Sequence, residues 1–196
     1  MNIPLRRSSG GYSLAELLVV VAIIGILSLV SVPAFMSYRN SAKLRSSMRQ
    51  FVADLREARQ RAITENHPTM ISFRAGTGNL AYRSFNGTVA DDGTVTYSAH
   101  LPASNRFERR LESDVYFAPT TNPCLFADTI TSPSQTSGWN DIVFNANGTV
   151  ANVPSAALCE SGGLLTGIVV IRNDKAPQNR KTFTFEIVPT GRIRVD

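Results

Sequence analysis

The sequence predicts an α+β fold: a long amino-terminal helix, membrane-spanning in its first half, packed on a carboxyl-terminal domain of antiparallel β-sheet or β-sandwich. Three observations predict it. From Leu17 to Tyr38 no residue is charged, and a bilayer core requires ~20 apolar residues of helix. From Ser41 to Asn66, Leu44, Met48, Phe51 or Val52, Leu55, Ala58 and Ala62 recur at helical spacing. Beyond Pro68 the texture changes to short β-branched and aromatic runs divided by turn residues. At 196 residues and 43% hydrophobic composition, the chain is long enough for one domain with a core and an appendage.

The first element carries a carboxylate, Glu16, at the mouth of its apolar run. Burying a carboxylate costs several kcal/mol unless it is paired or neutralised, and none of its near neighbours is positive. A free α-amino group, made by cutting the chain just before Tyr12, would supply the charge in the same chain or an adjacent copy. Pro33 must remove one intrahelical hydrogen bond and bend or break the helix. Two other readings compete. An ordinary secretory signal has an apolar core of roughly 7 to 15 residues and a small-residue cleavage site; Val32-Pro33-Ala34 imitates the site, but the run is too long and Glu16 is unexplained. An uncleaved anchor explains the length and neither Gly11 nor Glu16.

The residues Arg6-Arg7-Ser8-Ser9-Gly10-Gly11, then Tyr12-Ser13-Leu14-Ala15-Glu16 and the apolar helix, resemble the class III signal of type IV pilins and type II secretion pseudopilins. The resemblance implies that a prepilin peptidase cuts after Gly11 and methylates Tyr12. It implies that Glu16, fifth in the mature chain, pairs with a neighbouring subunit's terminal amine during assembly, and that Pro33 is a helix-loosening proline. Tyr12 departs from the phenylalanine more usual at the first mature position. The implied organisation is a leader over 1–11, a transmembrane and assembly helix over 12–38, its amphipathic continuation over 39–66, and a β-rich domain over 67–196. The implied location is the inner membrane in a single pass, with the carboxyl-terminal domain in the periplasm, and the pilus or cell surface after assembly. Arg39, Lys43, Arg45 and Arg49 outnumber the basic residues before the span, so a bare positive-inside count favours the opposite orientation; the processing signal is ranked above that count.

In the continuation, Lys43, Arg45, Arg49, Arg56, Arg59 and Arg61 fall mostly off the apolar stripe and read as a solvated face, with Asn66-His67-Pro68 as the stop. Strands are predicted over Thr69–Arg74, Leu80–Phe85, Val95–Ser98, Val115–Ala118, Asp141–Asn145, Gly167–Arg172, Thr182–Val188 and Arg192–Val195. Asn86-Gly87, Asp92-Gly93 and Asn147-Gly148 read as hairpin or turn signals, and Asn122–Asn140 as a long loop. The run Asp141 to Thr149, then Gly167 to Arg172 and Phe183 to Arg194, resembles the carboxyl-terminal half of FimT/GspH pilin-like proteins. That branch implies a helix packed on a β domain, commonly of two sheets, and a minor subunit.

Signals for an enzyme are poor, and neither a catalytic set, a metal nor a cofactor is expected. His67 and His100 have no Cys, Asp or Glu at metal-ligand spacing. Gly76-Thr77-Gly78-Asn79-Leu80-Ala81 matches the letters of a dinucleotide fingerprint but is followed by a strand, so its glycines read as a turn. The two Asn-Gly-Thr sequons also read as turns. Cys124 and Cys159 form the one possible disulfide if this region lies outside the cytoplasm, worth about 2 to 4 kcal/mol, or remain two buried thiols.

The formal charge is +5, and removing residues 1–11 leaves 18 basic against 15 acidic side chains. Such an excess suits an anionic partner only where it is clustered. At the end of the chain, Gly191-Arg192-Ile193-Arg194 as an extended segment points both arginines to one face. Two guanidinium groups ~7 Å apart can engage neighbouring phosphates, with Gly191 allowing a close turn and Arg180 and Lys181 extending the patch. This tail is similar to the Gly-Arg-x-Arg motif of FimT-type minor pilins, which implies non-specific DNA binding for uptake in natural transformation. The alternatives are an ordinary strand face or arginines paired with acids, in a structural minor pilin or GspH-like pseudopilin whose partners are proteins: other pilin subunits and the prepilin peptidase.

Overall fold

The computed structural model describes residues 11–76, 78, 80–99, 108–118, 139–151, 160–161 and 164–195. The predicted Cys124–Cys159 pairing, His100 and all but the end of the 122–140 loop lie outside them.

One helix, α1, runs from Leu14 to Glu65 and contains Pro33. Of the bend or break expected at Pro33, no break occurs: the ring removes the N–H that would bond the carbonyl one turn earlier, and the flanking turns carry the helix through. It ends at Asn66, whose left-handed backbone (φ 53°) closes helices at low cost for asparagine, just before Pro68. The chain divides into two units, one ending at Tyr38 and one beginning at Arg39. In the first, apolar side chains such as Leu18, Ile24, Leu27 and Phe35 are exposed, and the helix is long and apolar enough to cross a membrane.

In the second unit the strands are β1 (Thr69–Phe73), β2 (Ala81–Val89), β3 (Val95–Ala99), β4 (Glu108–Arg110), β5 (Tyr116–Phe117), β6 (Asn140–Phe144), β7 (Glu160–Ser161), β8 (Leu164–Leu165), β9 (Gly167–Arg172), β10 (Thr182–Ile187) and β11 (Ile193–Val195). The first sheet has the order β3-β2-β1-β6, with β4 also on β2; the second is β11-β10-β9-β5, and β7 pairs β8. All the pairings are antiparallel.

The apolar stripe of α1 fills the space between the two sheets. Phe51 and Val52, alternatives in the spacing argument, are both buried, with Leu44, Leu55, Ala58 and Ala62. The Phe51 ring meets Phe73 and Tyr82 of the first sheet (6.2 and 5.1 Å between centroids) and Phe117 and Phe185 of the second (5.0 and 5.8 Å), all edge-on. Edge-to-face contact is the favoured aromatic geometry. Strand alternation supplies the rest: Ile71, Ile142 and Phe144 from the first sheet and Val169, Ile171 and Ile187 from the second are buried in the same cluster. Met70, Phe85, Tyr97 and Val143, on the first sheet's other face, form a second buried cluster, which is why β1 is buried along its whole length.

Three expectations are corrected. Asn86-Gly87 is not a turn. It lies inside β2, where Gly87 pairs with Tyr97 and its N–H donates to the Pro68 carbonyl at 2.6 Å. A Cβ on Gly87 would stand 2.7 Å from that oxygen, so glycine is required there for close approach rather than for reversal. The hairpin turns instead at Asp92-Gly93, where Ala90 N–H donates to the Thr94 carbonyl, and of the two sequons only Asn147-Gly148-Thr149 is a turn. Second, β4, β7 and β8 were not predicted. Third, the basic face of α1 is not simply solvated. Lys43 Nζ bonds Ser113 Oγ (2.6 Å), Arg61 bonds Glu57 (2.7 Å) and approaches Ser84, and Arg59 is held by two turns described next.

Candidate functional site

Two places carry the predicted site residues. At the amino terminus, Gly11 precedes the helix, Tyr12 is 85% exposed, and the Ser13 carbonyl accepts the first helical hydrogen bond, from Leu17 N–H. Glu16 lies in the first turn of α1, where a carboxylate also complements the positive end of the helix dipole.

The second place is built from two turns and one face of α1. The Asn147-Gly148 turn closes with Gly148 N–H on the Asn145 carbonyl (2.8 Å), and the β10–β11 turn with Gly191 N–H on the Val188 carbonyl (2.8 Å). Val150 N–H donates to the Pro189 carbonyl (2.8 Å), tying turn to turn. Arg59 donates from Nε to the Gly148 carbonyl (2.9 Å) and from Nη2 to the Thr190 carbonyl (3.0 Å). Gly191 has φ 77°, and a Cβ there would lie 2.2 Å from the Gly148 oxygen and 2.6 Å from Arg59 Nε. Only glycine satisfies both the left-handed backbone and the approach.

This junction floors an open cleft of about 410 Å³ lined by Arg56, Arg59, Gln60 and Ile63 of α1 and by Gly191, Arg192 and Ile193. The Arg56 and Arg192 guanidinium groups make no hydrogen bond or ion pair among the described residues. They present two positive forks to one concavity, the arrangement that engages phosphate or carboxylate. Arg56, Gln60 and Ile63 were not predicted as site residues, although their i, i+4, i+7 spacing places them on one helix face.

The other predicted residues are not gathered here. Arg194 stands opposite Glu186 in the β10–β11 register, which puts an acid on the same face. Arg180 ends a 3-10 turn and Lys181 precedes β10 at its Thr182 end, whereas Arg192 follows the Ile187 end. Six strand residues, about 20 Å, separate them, so the predicted extension of the patch is not formed.

Two carboxylates elsewhere, Asp54 and Asp141, serve the fold. Tyr82 OH donates to Asp54, which also faces Arg109 Nε at 3.3 Å. Burial raises the Asp54 carboxyl above its ordinary range, and burial with the adjoining carboxylate raises the Tyr82 phenol. The buried Asp141 accepts from Ser72 Oγ. Among the described residues no group of three or more His, Cys, Asp or Glu side chains converges as a metal site would require.

Residues 6–32 match the family described as the prokaryotic N-terminal methylation motif. No curated protein matches the chain. Among solved structures it is similar to the crystal structure of the type IV minor pilin FimU of Pseudomonas aeruginosa, at 17% identity and a TM-score of 0.46, over 82% of this chain and 91% of that one. The chain therefore carries a type IV pilin-like amino-terminal segment on an α+β architecture of one long helix and antiparallel sheets.

Proposed function

We propose that this chain is a minor subunit of a type IV pilus, of the FimT type, that captures DNA without sequence preference for uptake in natural transformation. It is made as a precursor in the inner membrane, crosses it once, and places its β domain in the periplasm. Prepilin peptidase removes residues 1–11, leaving methylated Tyr12 as the first residue, and Glu16 pairs with the terminal amine of a neighbouring pilin subunit. The methylation motif at residues 6–32 supports this processing and assembly.

The observation that carries DNA capture is the meeting of Arg56 and Arg192 in one cleft, both free of internal partners among the described residues. Phosphate is the ligand proposed, because planar guanidinium forks pair with its oxygens and such contacts carry no sequence information. Arg194, with Glu186 across from it, takes the lesser share. Its position favours a second reading, a structural minor pilin or GspH-like pseudopilin with protein partners alone.

Duplex DNA titrated at several salt concentrations against the full chain in detergent separates the two. Arg56→Ala with Arg192→Ala should weaken binding and lower the slope of log K against log salt by about 0.9 for each phosphate no longer neutralised. Unchanged affinity with an unchanged slope removes the cleft from DNA binding and leaves the structural reading.

A further inference from the structure

A second basic cleft, of about 270 Å³, lies at the other end of the first sheet. It opens beside the Ala81 end of β2 and the Asn140 end of β6, whereas the turns held by Arg59 follow the Phe144 end. The five residues of β1, about 17 Å of strand, run between the two. We propose that this cleft binds single-stranded nucleic acid, with a nucleobase against the Trp139 indole and the adjoining phosphate between Arg74 and Arg110.

Strand alternation builds it. In the β2–β4 register Ala81 faces Arg110, Tyr82 faces Arg109 and Arg83 faces Glu108. Tyr82 and Arg109 turn inward to Asp54, so Ala81, Arg83, Glu108 and Arg110 share the opposite face. The Arg83 guanidinium carbon stands 4.5 Å from the centre of the Trp139 ring, a cation–π distance that orients the indole. Glu108 lies 3.6 Å from Arg83 and 3.9 Å from Arg110 and holds the two in place. With Arg74 also on the wall, three guanidinium groups meet one carboxylate and one indole.

That composition selects the ligand. The net positive charge calls for an anion, and planar guanidinium forks suit phosphate oxygens. An indole and a guanidinium plane in the same wall suit the flat face of a base, which stacks on such groups whatever its identity. Paired bases of a duplex hide those faces, so the strand must be single. An acidic peptide would satisfy the arginines and offer the indole no stacking partner beyond Arg83.

Trp139 is the single tryptophan of the chain, so its emission reports from this cleft alone. The full chain in detergent is titrated with a thymidine oligomer of about ten nucleotides, with an abasic oligomer of equal length, and with polyglutamate, binding being followed separately by anisotropy of the labelled oligomer. The thymidine oligomer should quench Trp139 emission, and the abasic oligomer and polyglutamate should leave it nearly unchanged. Trp139→Ala should weaken thymidine binding about 5- to 150-fold, the worth of one stacked base, with Trp139→Phe retaining most of the affinity. Arg110→Ala, at a side chain 75% exposed and so neutral for folding, should lower the salt slope by about 0.7. Emission unmoved at saturation, equal quenching by the abasic oligomer or polyglutamate, or absence of thymidine-oligomer binding overturns the proposal. Quenching that survives Arg56→Ala with Arg192→Ala separates this site from the cleft at the turns, whose duplex binding should in turn survive Trp139→Ala.

Discussion

At the scale of single residues, three glycines show how one residue type answers different demands. Gly93 has φ 82° and open space where a Cβ would be, so alanine there meets only backbone strain, about 1 kcal/mol. Gly191 adds a Cβ position 2.2 Å from the Gly148 oxygen, so one of the turns held by Arg59 must move. Gly191→Ala should therefore lower stability by about 2 to 3 kcal/mol and Gly93→Ala by about 1, read from thermal unfolding followed by Trp139 emission; equal effects would show that the turn relaxes freely. Gly87 is the third case and explains a misreading. Asn-Gly is the strongest short hairpin signal, yet here the glycine accommodates Pro68 beside an unbroken strand. The dipeptide carries no trace of a neighbour that stands nineteen residues back along the chain. Arg192 shows the converse: its place in the Gly-Arg-Ile-Arg tail is readable from the sequence, while Arg56, which lines the same cleft, is hidden within a helix that reads as amphipathic for packing reasons alone.

At the scale of elements, α1 was legible because its determinants are local: apolar spacing, an uncharged run and an Asn-His-Pro stop. The central strands were legible for the same reason, their alternation being set by the two faces they bury. Strand β4 was not, because Glu108-Arg109-Arg110 has no β propensity and is a strand through its pairing to β2. The basic side chains of α1 were misread because helix spacing shows which face they occupy and not what the sheets bring to that face. Lys43 illustrates it: Asp114 joins it at 3.4 Å to Lys175 at 2.8 Å, clasping helix to loops. These partners, Lys175 foremost, hold the Asp114 carboxyl below its ordinary 3.8. A carboxyl lowered in the folded state contributes stability above the ordinary value, lost as pH falls through 3.8 and below. Asp114→Asn should lower stability slightly at neutral pH and flatten the acid limb of the stability profile; a profile of unchanged shape would show that the clasp contributes nothing.

At the scale of the whole molecule, the chain is divided by solvent. From Leu14 to Tyr38 the described apolar side chains of α1 are exposed; from Arg39 the same helix buries its stripe between two sheets. That contrast was legible in the sequence as a change from an all-round apolar helix to a one-sided one. The proposed processing residues are neighbours in sequence, whereas the clefts join segments that only folding brings together. Under the proposed function, Glu16→Ala should leave the β domain folded and cut the amount of subunit recovered in purified pili, with normal incorporation refuting the assembly role of that carboxylate. The mature chain extracted from membranes should begin at Tyr12 by mass spectrometry. One further consequence follows from Arg59, which grips two separate turns with two nitrogens of one guanidinium. It works as a rivet driven from the helix through both loops, so a lysine, whose lone ammonium is a point charge without that fork, would fasten one loop and release the other.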